Sequence, residues 1–422
     1  MMKKSEILSC LKANKKITGY ELSIVDKDSR ELFYVLDHLE INRAVKVKTV
    51  NAKVYVSDGK TTGSSNVAVT AADDVKSLND KVAKAVKRAD SAKNAYYPLA
   101  EKTGNIKDVR KDRKDLNEIA MKVAKAVFKA DVYKAGWINS TEIFVSNFTE
   151  EFINSNGVDH VADSFKIEVE CIPTWSNKKE EFELYKFYES GKADYRRITE
   201  EIDEILNLAK ARSRALTLKD VELPENLPVL VKDDMQEYIV RNIARNLNYQ
   251  SFFMHENHYE KGDVVSETPF DLVMKAVIPG CSASRRFDSH GTVLKTVKLV
   301  DQGKAKNIYG DIQFGHYLGE KKISGNLPVC ELKAEGIAYR KQPHLIIENF
   351  SAPQLESDSG YWGGEVRLAR YFDGKKYIPL TGFSIAGSLY EDLKQVKFSK
   401  EDTVTSRYKG PKYMIFNGIE IS

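Results

Sequence analysis

Apolar positions in the first half of the chain switch between a period of two and a helical period. Leu22, Ile24 and the stretch Leu32-Phe33-Tyr34-Val35-Leu36 read as strands, and Val45-Lys46-Val47-Lys48 and Val54-Tyr55-Val56 continue in that mode. Asp58-Gly59, lying before the run that leads to Val67-Ala68-Val69, predicts a hairpin. Val75, Leu78, Val82 and Val86 then fall at helical spacing within 73–92, and Leu116, Ile119, Ala120, Val123 and Val127 do so within 112–131. Both helices have a solvated face of Lys and Asp, as expected for helices laid on one side of a sheet. Ile143 and Val145 alternate with polar residues. So do Phe165, Ile167, Val169 and Cys171, which the segment 181–188 answers as an antiparallel partner. Ile198, Ile202, Ile205, Leu206 and Ala209 form the stripe of a third helix between Asp194 and Ala215.

A linker is expected at 222–228, where Pro224 and Pro228 remove backbone donors. Beyond it the pattern changes. One short helix is expected from Asp233 or Asp234 to about Leu247, and a late one over 387–396. Short apolar runs at 272–278, 293–299, 345–347, 364–368 and 413–416 read as strands. The expected fold class is α+β. An N-terminal α/β domain (1–215) packs helices on a mixed sheet, and a β-rich C-terminal domain (216–422) follows. A groove between them, bordered by the 233–247 helix, is the expected binding site.

Composition narrows the function. The 422 residues are 42% hydrophobic and 30% charged, enough for a sizeable core. Lys and Arg number 65 against 61 Asp and Glu, a net charge of +4, so nothing points to nucleic acid. No apolar run approaches the ~18 residues of a membrane span. The start, Met1-Met2-Lys3-Lys4, leads into an amphipathic charged segment instead of a signal-peptide core, so a cytoplasmic protein is expected. Cys10, Cys171, Cys281 and Cys330 are far apart and form no CxxC pair, so buried free thiols are expected. Phosphate-loop motifs are absent.

The second half carries an ordered set of phrases. They are Pro279-Gly280-Cys281, Arg286-Phe287-Asp288-Ser289-His290-Gly291, Tyr361-Trp362-Gly363-Gly364-Glu365-Val366, and Ile385-Ala386-Gly387-Ser388 leading to Leu393. In the first half, Phe152-Ile153-Asn154-Ser155-Asn156-Gly157 precedes a strand. Together these resemble the TldD/PmbA family, whose members are also called modulators of DNA gyrase. The resemblance implies a peptide-processing system. TldD-type members are similar to zinc metallopeptidases acting on peptides or unfolded segments, with a helical HExxxH motif and a further ligand from the C-terminal part. PmbA-type members, also called TldE, lack that motif and resemble partners of the TldD type in a heterodimer.

The motif's place here is the helix after Val229–Val231. Arg241 and Asn246 stand where the two His would be, and Asn242 where the Glu would be. Arg stays protonated and offers no lone pair, and Asn cannot act as a general base. No HExxxH occurs in the chain, and Tyr361 and Trp362 occupy the stretch where a cysteine ligand is expected. The chain therefore groups with the PmbA/TldE type. The resemblance implies no catalytic residue and no cofactor of its own, with zinc only in a TldD-like partner. The expected partners are that catalytic subunit or a second copy, and an unfolded peptide that the assembly helps to enclose.

Other residues offer alternatives. Arg241 and Arg245 lie one helical turn apart, and Arg285-Arg286 is a second basic pair. Lining a cleft, they would clamp a carboxylate. Otherwise they would pair with Asp233, Asp234 or Glu237 on their own helix. Arg245, Arg286, Trp362, Gly363 and Gly364 are candidate cleft residues, although a Trp beside a strand more often packs in the core. His255 and His258 would share a face on a helix and chelate zinc, making a self-sufficient metallopeptidase with moved ligands. On an extended strand they point apart. A non-enzymatic peptide-binding scaffold is the third reading. Ser282, Ser284, Asp288 and His290 are a nucleophile-and-base set easily drawn by chance.

Overall fold

The computed structural model describes residues 2–109 and 115–422. Strands β1 (Gly19–Val35), β2 (His38–Ser57), β3 (Thr61–Val69), β4 (Asn94–Ala95), β5 (Lys107–Asp108), β6 (Gly136–Asn154), β7 (Asp159–Ser176), β8 (Glu181–Glu183) and β9 (Lys186–Ser190) form one sheet. Its order is β4-β3-β2-β1-β6-β7-β5, with β8 and β9 also on β7. Only the β5–β7 pair is parallel among these ladders, so the sheet is mixed. The Asp58-Gly59 signal is a β2–β3 turn. Asp58 Oδ1 accepts the N–H groups of Lys60 at 2.9 Å and Thr61 at 2.7 Å, and Gly59 has φ +85°.

Helices α1 (Lys4–Ala13), α2 (Val75–Ser91), α3 (Leu116–Phe128) and α4 (Tyr195–Arg212) cover one face of this sheet. The alternation decides which face. Leu22, Ile24, Val50, Ala52 and Val54 meet Ile7, Leu11, Leu78, Val82 and Val86. Further along, Leu32, Ile143, Val145, Ile167 and Val169 meet Ile119, Val123, Val127, Ile198 and Ile202. Asp74, Asp115 and Asp194 cap α2, α3 and α4 by accepting first-turn N–H groups. Residues 112–114, expected as the start of the helix over 112–131, lie outside the described residues.

The other face meets the second half of the chain. Phe152 packs against Phe287, His160 Nε2 lies 3.1 Å from the Gly291 carbonyl, and His290 Nδ1 lies 3.4 Å from Glu21. Two sheets make up this half. One runs through Val229–Val231, His344–Leu355 and Tyr361–Phe372, and the other through Phe270–Lys275, Val329–Ala334 and Tyr408–Pro411. Helix α5 (Asp233–Asn246) packs on both: Met235, Ile239, Val240 and Ile243 share one core with Val231, Leu345, Phe416, Leu272, Leu332 and Tyr408. The architecture is α+β, with a helix-covered mixed sheet followed by a β-rich half, as the periodicity predicts.

Three expected boundaries change. The strand pieces between 22 and 56 are two unbroken strands, β1 of 17 and β2 of 20 residues. Polar positions carry them through because Lys48 pairs with Asp26 at 3.2 Å and Lys46 with Asp28 at 3.6 Å across the ladder. The 181–188 segment is two strands, because Leu184 turns inward and is buried between them. The late helix shortens to Leu389–Asp392 plus a 3₁₀ turn at Leu393–Gln395.

Candidate functional site

Helix α5 begins abruptly. Lys232 precedes it without a side-chain cap, and Asp233 takes a left-handed φ of +50°. Such a conformation costs of order 1 kcal/mol or more for a residue with a side chain. It coincides with a buried ionic cluster. Lys232 Nζ lies 2.9 Å from Glu348, 3.1 Å from Glu204 and 3.6 Å from Asp233, and Arg370 also pairs with Glu348. Burial disfavours the charge on Lys232, but these carboxylates more than offset that and hold its pKa well above the ordinary lysine value.

Further along, α5 presents different chemistry on two sides. On the buried side, Asn242 Nδ2 donates to Ser357 Oγ at 2.8 Å. Asn246 Nδ2 donates to the Asn242 carbonyl and to Asn242 Oδ1, both at 3.0 Å, and Asn246 Oδ1 accepts the His258 N–H at 2.6 Å. Both amides are buried and committed to protein partners. On the outer side, Arg241 and Arg245 line a cavity of about 890 Å³ between α5 and the open face of the first sheet. Glu150, Lys166, Arg285 and Arg407 border the same space.

The four guanidiniums are not equivalent. Arg245 lies 3.7 Å from Glu256 and donates to Ser357 Oγ at 3.1 Å, while Arg285 lies 3.7 Å from Glu150. Arg241 and Arg407 are exposed and have no ion pair among the described residues. Their charges both reach Glu237, which accepts a hydrogen bond from Thr405 at 2.9 Å. Burial raises the Glu237 pKa, and the Thr405 bond and the two arginines only partly oppose it. The Cys330 thiol on the cavity wall is raised by burial, and that of Cys281 is pushed up to about 12, so both stay protonated at neutral pH.

Residues 225–422 match the family model described as the PmbA/TldA metallopeptidase C-terminal domain. The second half of the chain is thus similar to the C-terminal domain of the TldD/PmbA family. Its fold is similar to that of TldE from Thermococcus kodakarensis, with a TM-score of 0.78 at 14% identity over 99% of this chain and 100% of that one. A candidate modulator of DNA gyrase from Bacteroides thetaiotaomicron gives 0.78 at 13%, covering 99% and 98%. Another from Thermotoga maritima gives 0.76 at 13%, covering 99% of each chain. No curated protein matches the sequence.

Within this TldD/PmbA fold the sequence-derived candidates separate. Arg241, Arg245 and Arg285 come together on the large cavity, and the ion pairing expected for Arg241 within its own helix is not formed. Arg286 does not join them. It lines a neighbouring cavity of about 370 Å³ and pairs with Asp108 at 2.6 Å. Trp362 is fully buried against Phe416, and its indole N–H donates to Asp392 at 2.7 Å, so it sits in the core and not at the cleft. Gly363 and Gly364 serve close strand pairing. A Cβ on Gly363 would come within 2.1 Å of the Ile385 carbonyl oxygen, and one on Gly364 within 2.4 Å of that of Ala352.

His255 and His258 do not share a helix face, because α6 (Tyr249–Met254) ends before them. His255 closes that helix in a left-handed conformation, and His258 stacks on Tyr390 with ring centroids 3.6 Å apart. The Ser/His/Asp set also disperses. Ser282 donates to Glu189, His290 faces Glu21, and Asp288 accepts the backbone N–H groups of His290, Thr292 and Asn326. Arg407 and Ser357 escaped the sequence reading. Each sits in a loop far from α5 in sequence, and no local pattern marks either one.

Among the described residues no helix is long and apolar enough to cross a membrane, and no three His, Cys, Asp or Glu side chains are grouped to hold a metal ion.

Proposed function

We infer that this chain is a TldE-like, non-catalytic subunit of a cytoplasmic peptide-processing system. It would work beside a zinc-bearing TldD-like homologue and help to enclose an extended peptide. One observation carries the reading: at the family's metal-motif positions, α5 offers Arg241, Asn242 and Asn246. A guanidinium has no lone pair to give. The Asn246 oxygen already accepts the His258 N–H, and its nitrogen donates to Asn242. These residues do not fit a zinc ion, and no hydrolytic step is assigned to this chain.

In place of a metal, the groove holds two cations without an ion pair among the described residues, Arg241 and Arg407. Guanidiniums bind carboxylates through paired N–H donors in fixed geometry. The part of a peptide best suited to this stretch is therefore an acidic side chain or the terminal carboxylate. The test combines elemental analysis with a peptidase assay on the purified chain, alone and mixed with an HExxxH-bearing homologue. The expected result is no stoichiometric zinc in this chain and cleavage only in the mixture. Cleavage by the chain alone, at one zinc per molecule, overturns the reading.

A further inference from the structure

The large cavity has two walls of opposite make-up. Arg241 and Arg245 of α5, with Arg407 beyond them, form one. The open face of the first sheet forms the other, through Glu150 of β6, Lys166 of β7 and Glu189 of β9. Alternation decides that face. Ile167 and Tyr188 turn to the helices, so Lys166 and Glu189 turn to the cavity.

Four carboxylates line the cavity among the described residues, and three are matched. Glu150 lies 3.7 Å from Arg285, Glu256 lies 3.7 Å from Arg245, and Asp288 accepts three backbone N–H groups. Glu189 has no ion pair among the described residues. Its Oε1 accepts from Ser282 Oγ, which leaves Oε2 open. On the ladder Glu189 sits directly opposite Glu168, and the nearby Lys166 is committed to Glu168 at 2.8 Å. Like charges directly opposite each other are destabilising, and a cation beside them relieves the repulsion.

Residues 282–283 tie this carboxylate to the opposite wall. Ser282 bonds Glu189, and the next N–H, that of Ala283, donates to the Ser406 carbonyl at 3.1 Å, one residue before Arg407. An anion and a cation, each without an ion pair among the described residues, thus border one space from two sides.

We propose that Glu189 and Ser282 form a subsite for a primary ammonium group of the peptide whose carboxylate Arg241 and Arg407 take. The inference rests on that reading of the two arginines and adds the charge at the ligand's other end. A compact ammonium suits the one open oxygen, with Ser282 Oγ as a second acceptor. A guanidinium would engage both oxygens of Glu189 in its fork, and one is in use. A peptide has two sources of the ammonium, a free amino terminus and a lysine side chain.

Isothermal titration calorimetry on the full chain tests it with four probes: tetraalanine, its N-acetyl form, its C-terminal amide, and N-acetyl-lysyl-trialanine. Acetylation is expected to weaken binding of tetraalanine about tenfold or more, the loss of one charge-assisted bond. Glu189→Gln keeps an acceptor for Ser282. It is expected to weaken tetraalanine equally and to leave the acetylated form unchanged, at an unaltered melting temperature. Recovery of the lost affinity by the lysyl peptide names the side chain as a source too, and no recovery names the amino terminus alone. Equal affinity of tetraalanine and its acetyl form overturns the subsite and leaves the arginines' role standing. So does tetraalanine binding that is indifferent to Glu189→Gln. Equal affinity of tetraalanine and its amide overturns the reading of the arginines instead. No binding of tetraalanine at millimolar concentration overturns both.

Discussion

Helix α5 carries two sets of polar side chains that answer to different demands. Asn242 and Asn246 are buried, and their donors and acceptors are matched by Ser357, His258 and each other. Arg241 stands on the other side of the same helix, exposed and without an ion pair among the described residues. Buried polar groups are costly unless matched, so the first set is read as structure. An unmatched cation in water costs the fold little, so its placement along a cavity wall is read as recognition. The lesson is that neighbouring positions on one helix can answer to different demands, and hydrogen-bond accounting tells them apart.

The comparison is broken most forcefully at the helix's start. Lys232, with 6% of its side chain exposed, faces Glu348 with none exposed. Replacing Lys232 by Met leaves that carboxylate short of a partner, and a loss of about 3–5 kcal/mol is expected in urea unfolding. Asn246→Ala comes next. It strands the His258 N–H and one side of Asn242, and about 1–3 kcal/mol should be lost. The triple variant R241H/N242E/N246H writes an HExxxH pattern into α5 but buries an unmatched Glu. It should unfold earlier than the parent, and tight zinc binding with parental stability would show that the amide network is dispensable.

The seam between the two halves gives a smaller, pH-dependent effect. Burial pushes the His290 pKa down, but the hydrogen bond and charge of Glu21 more than offset it, so the folded value is raised. The sign follows from linkage. The extra stability is fully present below the unfolded imidazole pKa of about 6.5 and is lost as pH rises through the raised folded value. Melting temperature should therefore fall across that window in the parent, and Glu21→Gln should flatten the fall. The smallest stability effect belongs to the groove. Arg241→Ala and Arg407→Ala should each shift unfolding by no more than about 0.5 kcal/mol. Each should nonetheless weaken binding of a peptide with a free terminal carboxylate, measured calorimetrically, and leave the amidated peptide unaffected.

Much of this was legible in the sequence wherever burial imposes a period. The stripe of Ile198, Ile202 and Ile205 predicts α4, and the alternation from Phe165 to Cys171 predicts β7, because one face of each must leave water. The α5 boundaries expected from residue 233 or 234 to about 247 compare with Asp233–Asn246. Length was not legible in β1 and β2, since cross-strand ion pairs at Asp26 and Asp28 carry the ladder through polar positions. The site was half legible. The grouping of Arg241, Arg245 and Arg285 could be suspected from their spacing. Arg407 reaches the same cavity only through the chain's return from the far end of the second half, and the pairing of Arg286 with Asp108 depends on the first sheet's placement. Trp362 misleads because its phrase marks the family, whereas its side chain fills the core.

The seating of α5 between two sheets has a consequence for motion. Its peptide hydrogens are bonded within the helix and its apolar side shares one core with both sheets, so deuterium uptake there should be among the slowest in the molecule. The arginines it displays are then carried on the steadiest part of the protein. Adjustment to a bound chain is then expected from the loops at 282–289 and 326–328, which border the same cavity.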